Sequence, residues 1–329
     1  MNELKRKVLL ICPDFMGYAD IISNGIKKYL NAEVHLVTTT GTSLKYNYRN
    51  SFHRIQNFFS KSFLGKNQKK GFYNNAIEEK LKTIFNEHPL FNDILILRPD
   101  LIKEHLPHIK PHSKRLIAYF WDSFERIPDG KETIPFFNKF FSFQQKDANE
   151  HNVFFRPFFY PPNLEANKNI EPEYDLGYVA SYDIRVNVLE TIMDSLMPLD
   201  LKTSINITAI KNVKLRTRNE NINWFTGVLP PSETWRITTK SKVLLDIAQP
   251  KQEGLSFRPF DAIALEKKLI TTNQSILTYD FFDPKNIFIW ENENTVPSKD
   301  FFTTPYHPPS PDIVKKYSLE CWVHDLFEE

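Results

Sequence analysis

The sequence predicts an α/β protein made of two Rossmann-like domains that face each other across a cleft. Short apolar runs alternate with amphipathic stretches along the chain, which is typical of parallel strands joined by helices. A proline-rich segment interrupts this alternation near the middle of the chain, and the alternation then restarts. The length of 329 residues also suits two domains. We therefore expect two parallel sheets, each covered by helices on both faces.

The first domain is predicted over residues 1–158. Its strands are brief, continuous apolar runs, as expected for strands buried on both faces. They are KVLLIC (7–12), EVHLVT (33–38), DILILR (93–98) and RLIAYF (115–120). Helical spacing of apolar residues predicts helices over 19–30 and 75–87. Pro99 is suited to the first turn of a further helix after the third strand.

A linker is predicted over 159–173, inside a stretch (156–173) that holds four prolines. The second domain is predicted over 174–310, followed by a closing helix within 311–329. The predicted strands are YDLGYVA (174–180), INITAI (205–210), INWF (222–225), KVLLDI (242–247), LITTN (269–273) and IFIW (287–290). The predicted helices lie over 183–196, near 231–241 and over 258–267.

Composition excludes several classes of protein. With 42 basic and 40 acidic residues, the chain lacks the large basic excess of a dedicated nucleic-acid binder. No apolar run reaches the length of a membrane-spanning helix, and the N-terminal run is too short for a secretory leader. The two cysteines, Cys12 and Cys321, cannot form a disulfide framework or a four-ligand zinc site. These features indicate a cytoplasmic protein.

Residues 41–76 differ in composition from the rest of the chain. They contain seven Lys or Arg, eight Phe or Tyr, and no Asp or Glu. A basic, aromatic and acid-free segment can lie on an anionic membrane surface, so it is a candidate for contact with the inner face of the cell membrane. The alternative is a solvated loop whose aromatic side chains pack on the domain.

Polar and aromatic residues follow the predicted strands of the first domain. Ligands of parallel α/β sheets bind outside the carboxyl ends of the strands, so these loops are candidate ligand contacts. Asp14 and Asp122 could instead serve only as helix caps. The candidates for binding an acceptor are Phe15, Gly17, Tyr18, Arg98 and Trp121.

The stretch 249–273 carries the most informative pattern in the second domain. Glu253 and Asp261 are separated by seven residues, with a turn around Gly254 between them. A helix that begins near Ser256 presents free N–H groups and a positive dipole end, which suits a diphosphate. Arg258 in the first turn opposes that dipole, which makes sense if an anion is present. A carboxylate further along the helix can accept hydrogen bonds from both hydroxyls of a ribose.

The segment EGLSFRPFD (253–261) resembles the E-x7-E motif of GT-B glycosyltransferases, with Asp in place of the second Glu. The chain more specifically resembles bacterial lipopolysaccharide or capsular polysaccharide glycosyltransferases related to the spore-maturation type. The similar segments occur in order along nearly the whole chain. They are Phe15-Met16-Gly17-Tyr18, YFWDS (119–123), FSFQQKDANEH (141–151), YDLGYVASYDIR (174–185), 243–273 and YDFFDPKNIFI (279–289).

This resemblance implies transfer of a sugar from a nucleotide-sugar to a cell-surface glycan, without a metal cofactor. It implies that Asp261 holds the donor ribose and that the first domain binds the acceptor glycan. Asp122 is then the first candidate for the catalytic base and Asp14 the second. The candidates for donor binding, from the motif and from position after strands, are Ser181, Arg185, Glu253, Gly254, Leu255, Ser256, Arg258, Asp261 and Asn273.

Other readings remain open from the sequence. A non-catalytic two-lobed protein could keep the donor pocket without transfer, and a membrane-associated assembly factor could act through 41–76. Inverting and retaining transfer are both compatible with these residues. His105, His108 and His112 have the spacing of helical metal ligands, but Pro107 and Pro111 interrupt the segment, so no metal site is expected there.

Overall fold

The computed structural model describes residues 5–40, 68–162, 164–209, 219–227 and 229–328, leaving aside the side chains of 68–72. The chain divides into two compact units. Unit 1 comprises Met1–Ser142, Asp147–Phe155 and Leu326–Glu329, and unit 2 comprises Phe143–Lys146 and Arg156–Asp325. The predicted domain limits, 1–158 and 174–310, stay predictions.

Unit 1 contains a six-stranded parallel sheet with the strand order β2-β1-β3-β4-β5-β6. Its strands are β1 (Lys7–Cys12), β2 (Glu33–Thr38), β3 (Phe91–Leu97), β4 (Ser113–Phe120), β5 (Lys139–Ser142) and β6 (Phe154–Phe155). The α-helices in this part of the chain are α1 (Tyr18–Tyr29), α2 (Gln68–Glu87), α3 (Leu106–Ile109) and α4 (Gln145–His151). The 3-10 turns are Pro99–His105, Lys110–His112 and Pro128–Phe136.

Unit 2 contains a second six-stranded parallel sheet, with the order β12-β11-β10-β7-β8-β9. Its strands are β7 (Tyr174–Ser181), β8 (Thr203–Ala209), β9 (Ile222–Thr226), β10 (Ser241–Asp246), β11 (Lys268–Thr271) and β12 (Ile287–Ile289). Its helices are α5 (Val186–Leu196), α6 (Pro231–Thr239), α7 (Phe257–Ala264), α8 (Lys299–Thr303), α9 (Pro311–Lys316) and α10 (Leu319–Phe327). Its 3-10 turns are Glu165–Asn167, Met197–Leu199 and Gln274–Thr278.

Each sheet is held by a core that the apolar runs supply. In unit 1, Leu9 and Ile11 of β1 are fully buried and pack in one cluster with Leu81 and Phe85 of α2. In unit 2, Leu189 and Ile192 of α5 lie on the face that joins the core of the second sheet. Burial of one such side chain contributes about 1.5–3 kcal/mol to the stability of the fold. The pattern of apolar residues therefore determines which faces of the strands and helices pack together in each unit.

The strand orders locate the ligand-binding edge of each sheet. In unit 2 the order reverses between β7 and β10, as in the Rossmann fold. In unit 1 the order reverses between β1 and β3. Ligands of such sheets bind outside the carboxyl ends of the strands at the point of reversal. The relevant loops are therefore those after β7 and β10, and those after β1 and β3.

The prediction of a single closing helix within 311–329 is wrong, because two helices, α9 and α10, occupy this region. The carbonyl of Tyr317 accepts a hydrogen bond from the amide of Tyr160 at 3.0 Å, outside the helix. Ser318 then precedes α10, and its hydroxyl accepts from the amide of Cys321 in the first turn of that helix at 3.2 Å. Strands β5 and β6 were missed by the prediction because they span only four and two residues.

The segment 41–76 lies mostly outside the described residues, so its predicted membrane contact stays a prediction. Only its last part falls in α2. Among the described helices, none has the length and apolar character needed to cross a bilayer.

Candidate active site

The carboxyl end of β10 carries a buried carboxylate, Asp246, at the point of reversal in unit 2. Its Oδ1 accepts a hydrogen bond from the Ser256 hydroxyl at 2.7 Å, and its Oδ2 accepts one from the Thr271 hydroxyl at 2.9 Å. Ser256 is also the N-cap of α7, since its Oγ accepts from the amide of Arg258 at 3.2 Å. Asp246 therefore ties together β10, β11 and the start of α7.

Arg258 turns its guanidinium back toward the same edge of the sheet. Its Nη1 lies 3.7 Å from Asp246 Oδ1, and its Nη2 donates to the carbonyl of Val179. The guanidinium carbon stands 4.8 Å from the centroid of the Tyr178 ring. The structure therefore places a carboxylate of the chain itself, Asp246, beside Arg258.

Asp261 lies one turn further along α7 and is only 7% exposed. Among the described residues, no donor reaches its Oδ1, although that atom is buried. Burial raises the pKa of Asp261 to about 8, while the nearby charge of Arg258 acts in the opposite direction. Buried polar atoms in native proteins are almost always paired, so this oxygen is suited to a hydroxyl of a ligand.

The turn before α7 is braced from both sides by amide side chains. Gln144 Oε1 accepts from the amides of Glu253 and Gly254 at 2.6 and 3.0 Å. Asn273 Nδ2 donates to the carbonyl of Glu253 at 3.0 Å. A Cβ on Gly254 would lie 2.5 Å from a ring carbon of Phe143, so only glycine fits there. Glu253 itself is exposed at this turn.

Several amides around the predicted diphosphate cradle already have partners, and the cradle itself stays a prediction. The amides of Glu253 and Gly254 are bonded to Gln144, and that of Arg258 to Ser256. The backbone of Leu255 hydrogen-bonds to Tyr279. The amides of Glu253 and Gly254 are thus satisfied by a side chain distant in sequence, and that of Arg258 by the local N-cap. Both polar atoms of the Asn273 side chain have partners, since its Nδ2 donates to the carbonyl of Glu253 and its Oδ1 accepts from the backbone N–H of Ser275. Asn273 therefore positions the turn before α7.

Arg185 lies at the second loop of this edge, after β7. It forms a two-pronged ion pair with Asp183, with Nε to Oδ1 at 2.9 Å and Nη2 to Oδ2 at 2.8 Å. Its Nη1 donates to the carbonyl of Ile247 at 3.2 Å, and Gln249 also donates to Asp183. Burial raises the pKa of Asp183, but the bonds from Arg185 and Gln249 outweigh it and lower the pKa overall. Ser181 is exposed at the end of β7.

Two guanidinium groups thus converge on one aromatic residue at the strand reversal. Tyr178 is buried, which raises the pKa of its hydroxyl, and both Arg258 and Arg185 oppose that rise through their charge. Asp183 and Asp246 are the anions beside the two guanidinium groups. The edge of unit 2 therefore carries two positive groups, of which Arg258 acts through its charge on Asp261.

The corresponding edge of unit 1 places Asp122 between two arginines. Arg98 Nη1 lies 3.2 Å from its Oδ2, and Arg126 Nη1 lies 2.7 Å from its Oδ1. Arg98 also forms a two-pronged ion pair with Asp100 and has a left-handed backbone, with φ 57°. Each carboxylate oxygen has two lone pairs, so these ion pairs do not by themselves prevent Asp122 from taking up a proton. The assignment of Asp122 as the catalytic base stays a prediction.

Asp14 lies in the loop after β1 and is exposed. Its backbone amide donates to the Thr40 hydroxyl at 3.1 Å, and the described residues place no hydrogen-bond donor on its carboxylate. The next residue, Phe15, is 52% exposed. Gly17 has a φ of 79°, a left-handed conformation that favours glycine at the entry to α1. Asp14 and Phe15 are therefore open to an acceptor.

Tyr18 and Trp121, two of the residues predicted to contact the acceptor, are less exposed than Phe15. The side chain of Tyr18 is only 3% exposed, so it packs within the protein and its ring is not available to an acceptor. Trp121 is half-buried after β4. The three histidines of 105–112 form no metal-ligand group among the described residues; His112 stacks on Phe85 at 3.8 Å instead.

Some site residues were missed by sequence reasoning. Asp246 ends an otherwise apolar strand, and a carboxylate in that position is a signal that could have identified it. Asp183 precedes Arg185 by two residues, which suits a local ion pair. Gln144 has no such signal, because its contact with Glu253 spans 109 residues of sequence.

The fold is shared with solved glycosyltransferase structures. No protein-family model matches the chain. A comparison with curated proteins gives no significant match. Over 98% of the chain, three structures have TM-scores above 0.5 at very low sequence identity. This likeness confirms the predicted fold class of two Rossmann-like α/β domains.

One of these structures is an α-glucosyltransferase in complex with UDP and a 13-mer DNA, with TM-score 0.53, 11% identity and 96% of that chain covered. Another is HepE from Anabaena in complex with UDP-glucose, with TM-score 0.52, 6% identity and 95% of that chain covered. The third is sucrose-phosphate synthase from Thermosynechococcus elongatus, with TM-score 0.52, 9% identity and 95% of that chain covered.

Proposed function

We propose that the protein is a glycosyltransferase that moves a sugar from a nucleoside diphosphate sugar to a hydroxyl group of a glycan. The observation that carries this proposal is Asp261, whose buried Oδ1 lacks a partner among the described residues. It lies on α7, the helix that follows β10 at the strand reversal of unit 2, in a fold shared with structures that contain UDP or UDP-glucose.

The donor would bind at the edge of unit 2. Asp261 would hydrogen-bond to the ribose hydroxyls, and Arg185 and Arg258 would face the diphosphate. Each guanidinium is already paired with a carboxylate, so the diphosphate would share or displace Asp183 and Asp246. Charge-assisted bonds of this kind are about twice as strong as neutral ones. No metal is needed in this scheme, since both positive groups belong to the chain.

In the reaction, the acceptor oxygen forms a bond to the anomeric carbon while the bond from that carbon to the diphosphate oxygen breaks. The nucleoside diphosphate leaves with the bonding electron pair, and the acceptor hydroxyl loses its proton. For an inverting transfer we assign the proton to Asp14, because Asp14 is exposed whereas Asp122 is held in ion pairs with Arg98 and Arg126. For a retaining transfer the two arginines would stabilise the leaving diphosphate.

Replacement of Asp261 tests donor binding directly. We expect Asp261→Ala to weaken the binding of UDP about 2- to 10-fold, since burial keeps this carboxyl protonated near neutral pH and a hydrogen bond between uncharged groups contributes about 0.5–1.5 kcal/mol. The measurement is isothermal titration calorimetry of the full chain with UDP. Asp261→Asn, which preserves the shape of the side chain, covers the case that the alanine variant does not fold.

The matched control for this experiment is Glu266→Gln. Glu266 is an exposed acid just after α7 that pairs with Lys168 at 2.9 Å, so its replacement leaves the proposed pocket intact. UDP affinity is expected to match that of the parent. Equal UDP affinities of the parent and both Asp261 variants, or no UDP binding by the parent, would contradict the proposal.

Replacement of Asp14 tests the assignment of the base. We expect Asp14→Asn to lower turnover about 100-fold while UDP affinity stays unchanged, because general-base catalysis contributes roughly 10²–10⁴-fold. The measurement is release of UDP from UDP-glucose with a glycan acceptor. Normal turnover in Asp14→Asn would refute the assignment. UDP binding by the parent without any turnover would favour the non-catalytic alternative.

The nature of the acceptor is a finer proposal. A lipopolysaccharide, O-antigen or capsule glycan is supported by the resemblance of the sequence motifs to enzymes of that type. The basic and aromatic composition of residues 41–76 supports a lipid-linked acceptor at an anionic membrane surface. Flotation with anionic liposomes at low salt tests this point, and failure to bind would remove the membrane contact.

A further inference from the structure

Three side chains that could bind a metal ion lie at the amino ends of the strands in the unit 1 sheet. Asp14 and Arg98 follow the carboxyl ends, on the opposite side of that sheet. Glu33 and His35 are one residue apart on β2, so they share a face of this edge strand. His88 follows the end of α2. One possible ligand atom from each of the three residues lies within 4.8 Å of the others, the arrangement of one coordination site.

The rings of this group are held in place by packing. His35 Nε2 lies 2.9 Å from Glu33 Oε1, and the centroids of His35 and His88 are 4.1 Å apart. The Phe91 ring contacts His35 edge-on, with centroids 5.5 Å apart. The side chain of Glu33 is 43% exposed, so an ion can reach the group from solvent.

Two imidazoles and one carboxylate form a donor set suited to zinc. Three protein ligands with a fourth position left to water is a common zinc arrangement. Imidazole nitrogen favours borderline ions such as Zn²⁺ over Mg²⁺ and Ca²⁺, which prefer oxygen ligands. The fixed rings lower the conformational cost of assembling the site, because they lose little freedom on binding.

Lys7 is the competitor for this position. Its Nζ lies 3.4 Å from Nδ1 of His88, at the start of β1. An ammonium group there repels a cation and occupies a ring nitrogen of one ligand. Metal binding would therefore require Lys7 to turn away, and removal of its charge should strengthen binding.

We propose that Glu33, His35 and His88 bind one zinc ion, which links the edge strand β2 to the segment between α2 and β3. The group lies at the amino ends of the strands, whereas Asp14 and Arg98 follow the carboxyl ends. The site would therefore stabilise unit 1 without taking part in sugar transfer. This inference does not depend on the proposed function.

The test is a zinc titration of the full-length protein after treatment with a chelator, measured by competition with a chromophoric zinc indicator. We expect one zinc per chain. Glu33→Gln and His88→Gln should each weaken binding by about tenfold or more. Lys7→Met should strengthen it. Zinc should raise the melting temperature of the parent more than that of the Glu33→Gln variant.

The matched control is His307→Gln in unit 2. His307 forms a similar pair with Asp283, at 2.6 Å, and belongs to no group of three ligands among the described residues. Its zinc affinity should equal that of the parent. Absence of saturable binding in the parent, or equal affinities of the parent, Glu33→Gln and His88→Gln, would overturn the proposal. Circular dichroism spectra would verify that each variant is folded.

Discussion

The free energy of unfolding is expected to fall as pH rises from about 5 to about 7.5, with Asp261 contributing about 1.4 kcal/mol per pH unit. Burial raises the pKa of Asp261 to about 8 in the folded protein, against the opposing charge of Arg258. In the unfolded chain this carboxyl releases its proton near pH 4. Between these values the folded state holds one more proton, so a rise in pH favours unfolding.

The measurement is urea unfolding at pH 5, 6 and 7 for the parent and for Asp261→Asn. An asparagine cannot titrate, so the variant should lack this part of the slope, and the difference between the two proteins isolates Asp261 from the other titrating groups. Equal slopes would show that Asp261 is ionised in the folded protein.

Asp280→Asn is the matched control for the pH experiment. Burial raises the pKa of Asp280, but bonds from Lys316 and Tyr317 outweigh this and lower the pKa overall. Its contribution to stability is present above the pKa of the unfolded chain and is lost only as pH falls below that value. The slope between pH 5 and 7 should therefore match that of the parent, even if the absolute stability changes.

Asp246→Ala is expected to lower the free energy of unfolding by about 3 kcal/mol. The substitution leaves the hydroxyls of Ser256 and Thr271 without their acceptor and the guanidinium of Arg258 without its anion. Loss of one partner from a buried charged network costs about 3–5 kcal/mol. Urea unfolding of the full chain provides the measurement.

A graded series controls for this prediction. Thr271→Val removes one of the contacts of Asp246 and should cost about 1 kcal/mol. Asp246→Asn preserves the shape of the side chain, and its loss of unfolding free energy should lie between those of Thr271→Val and Asp246→Ala. This variant covers the case that the alanine variant does not fold. A loss in Asp246→Ala no larger than that in Thr271→Val would show that Asp246 does not organise this edge of the sheet.

The fold could be predicted largely because its signals are local. The run KVLLIC is continuous and apolar, and it forms β1 at Lys7–Cys12 as predicted. The spacing of Val186, Leu189 and Ile192 likewise predicts the buried face of α5. The two-residue strand β6 was beyond this approach, because pairing with β5 rather than its own sequence makes it a strand.

The candidate site could be predicted only in part. Asp261 was identified from its spacing to Glu253, but its burial and raised pKa depend on the packing around α7. The environment of Asp122 was not predictable, because Arg98 reaches it from a loop 24 residues away in sequence. The proposed zinc ligands were not predictable for the same reason, since His88 is distant in sequence from Glu33 and His35 on β2.

By itself, the sequence determined the alternation of strands and helices, and hence two parallel sheets with ligand-binding edges, because periodic burial is a local property of the chain. The tertiary structure alone decided which polar groups are already paired. Gln144 accepts from the amides of Glu253 and Gly254, Asp246 lies beside Arg258, and Asp261 retains an oxygen with no partner among the described residues. The physical reason is that hydrogen bonding and desolvation depend on contacts between segments distant in sequence.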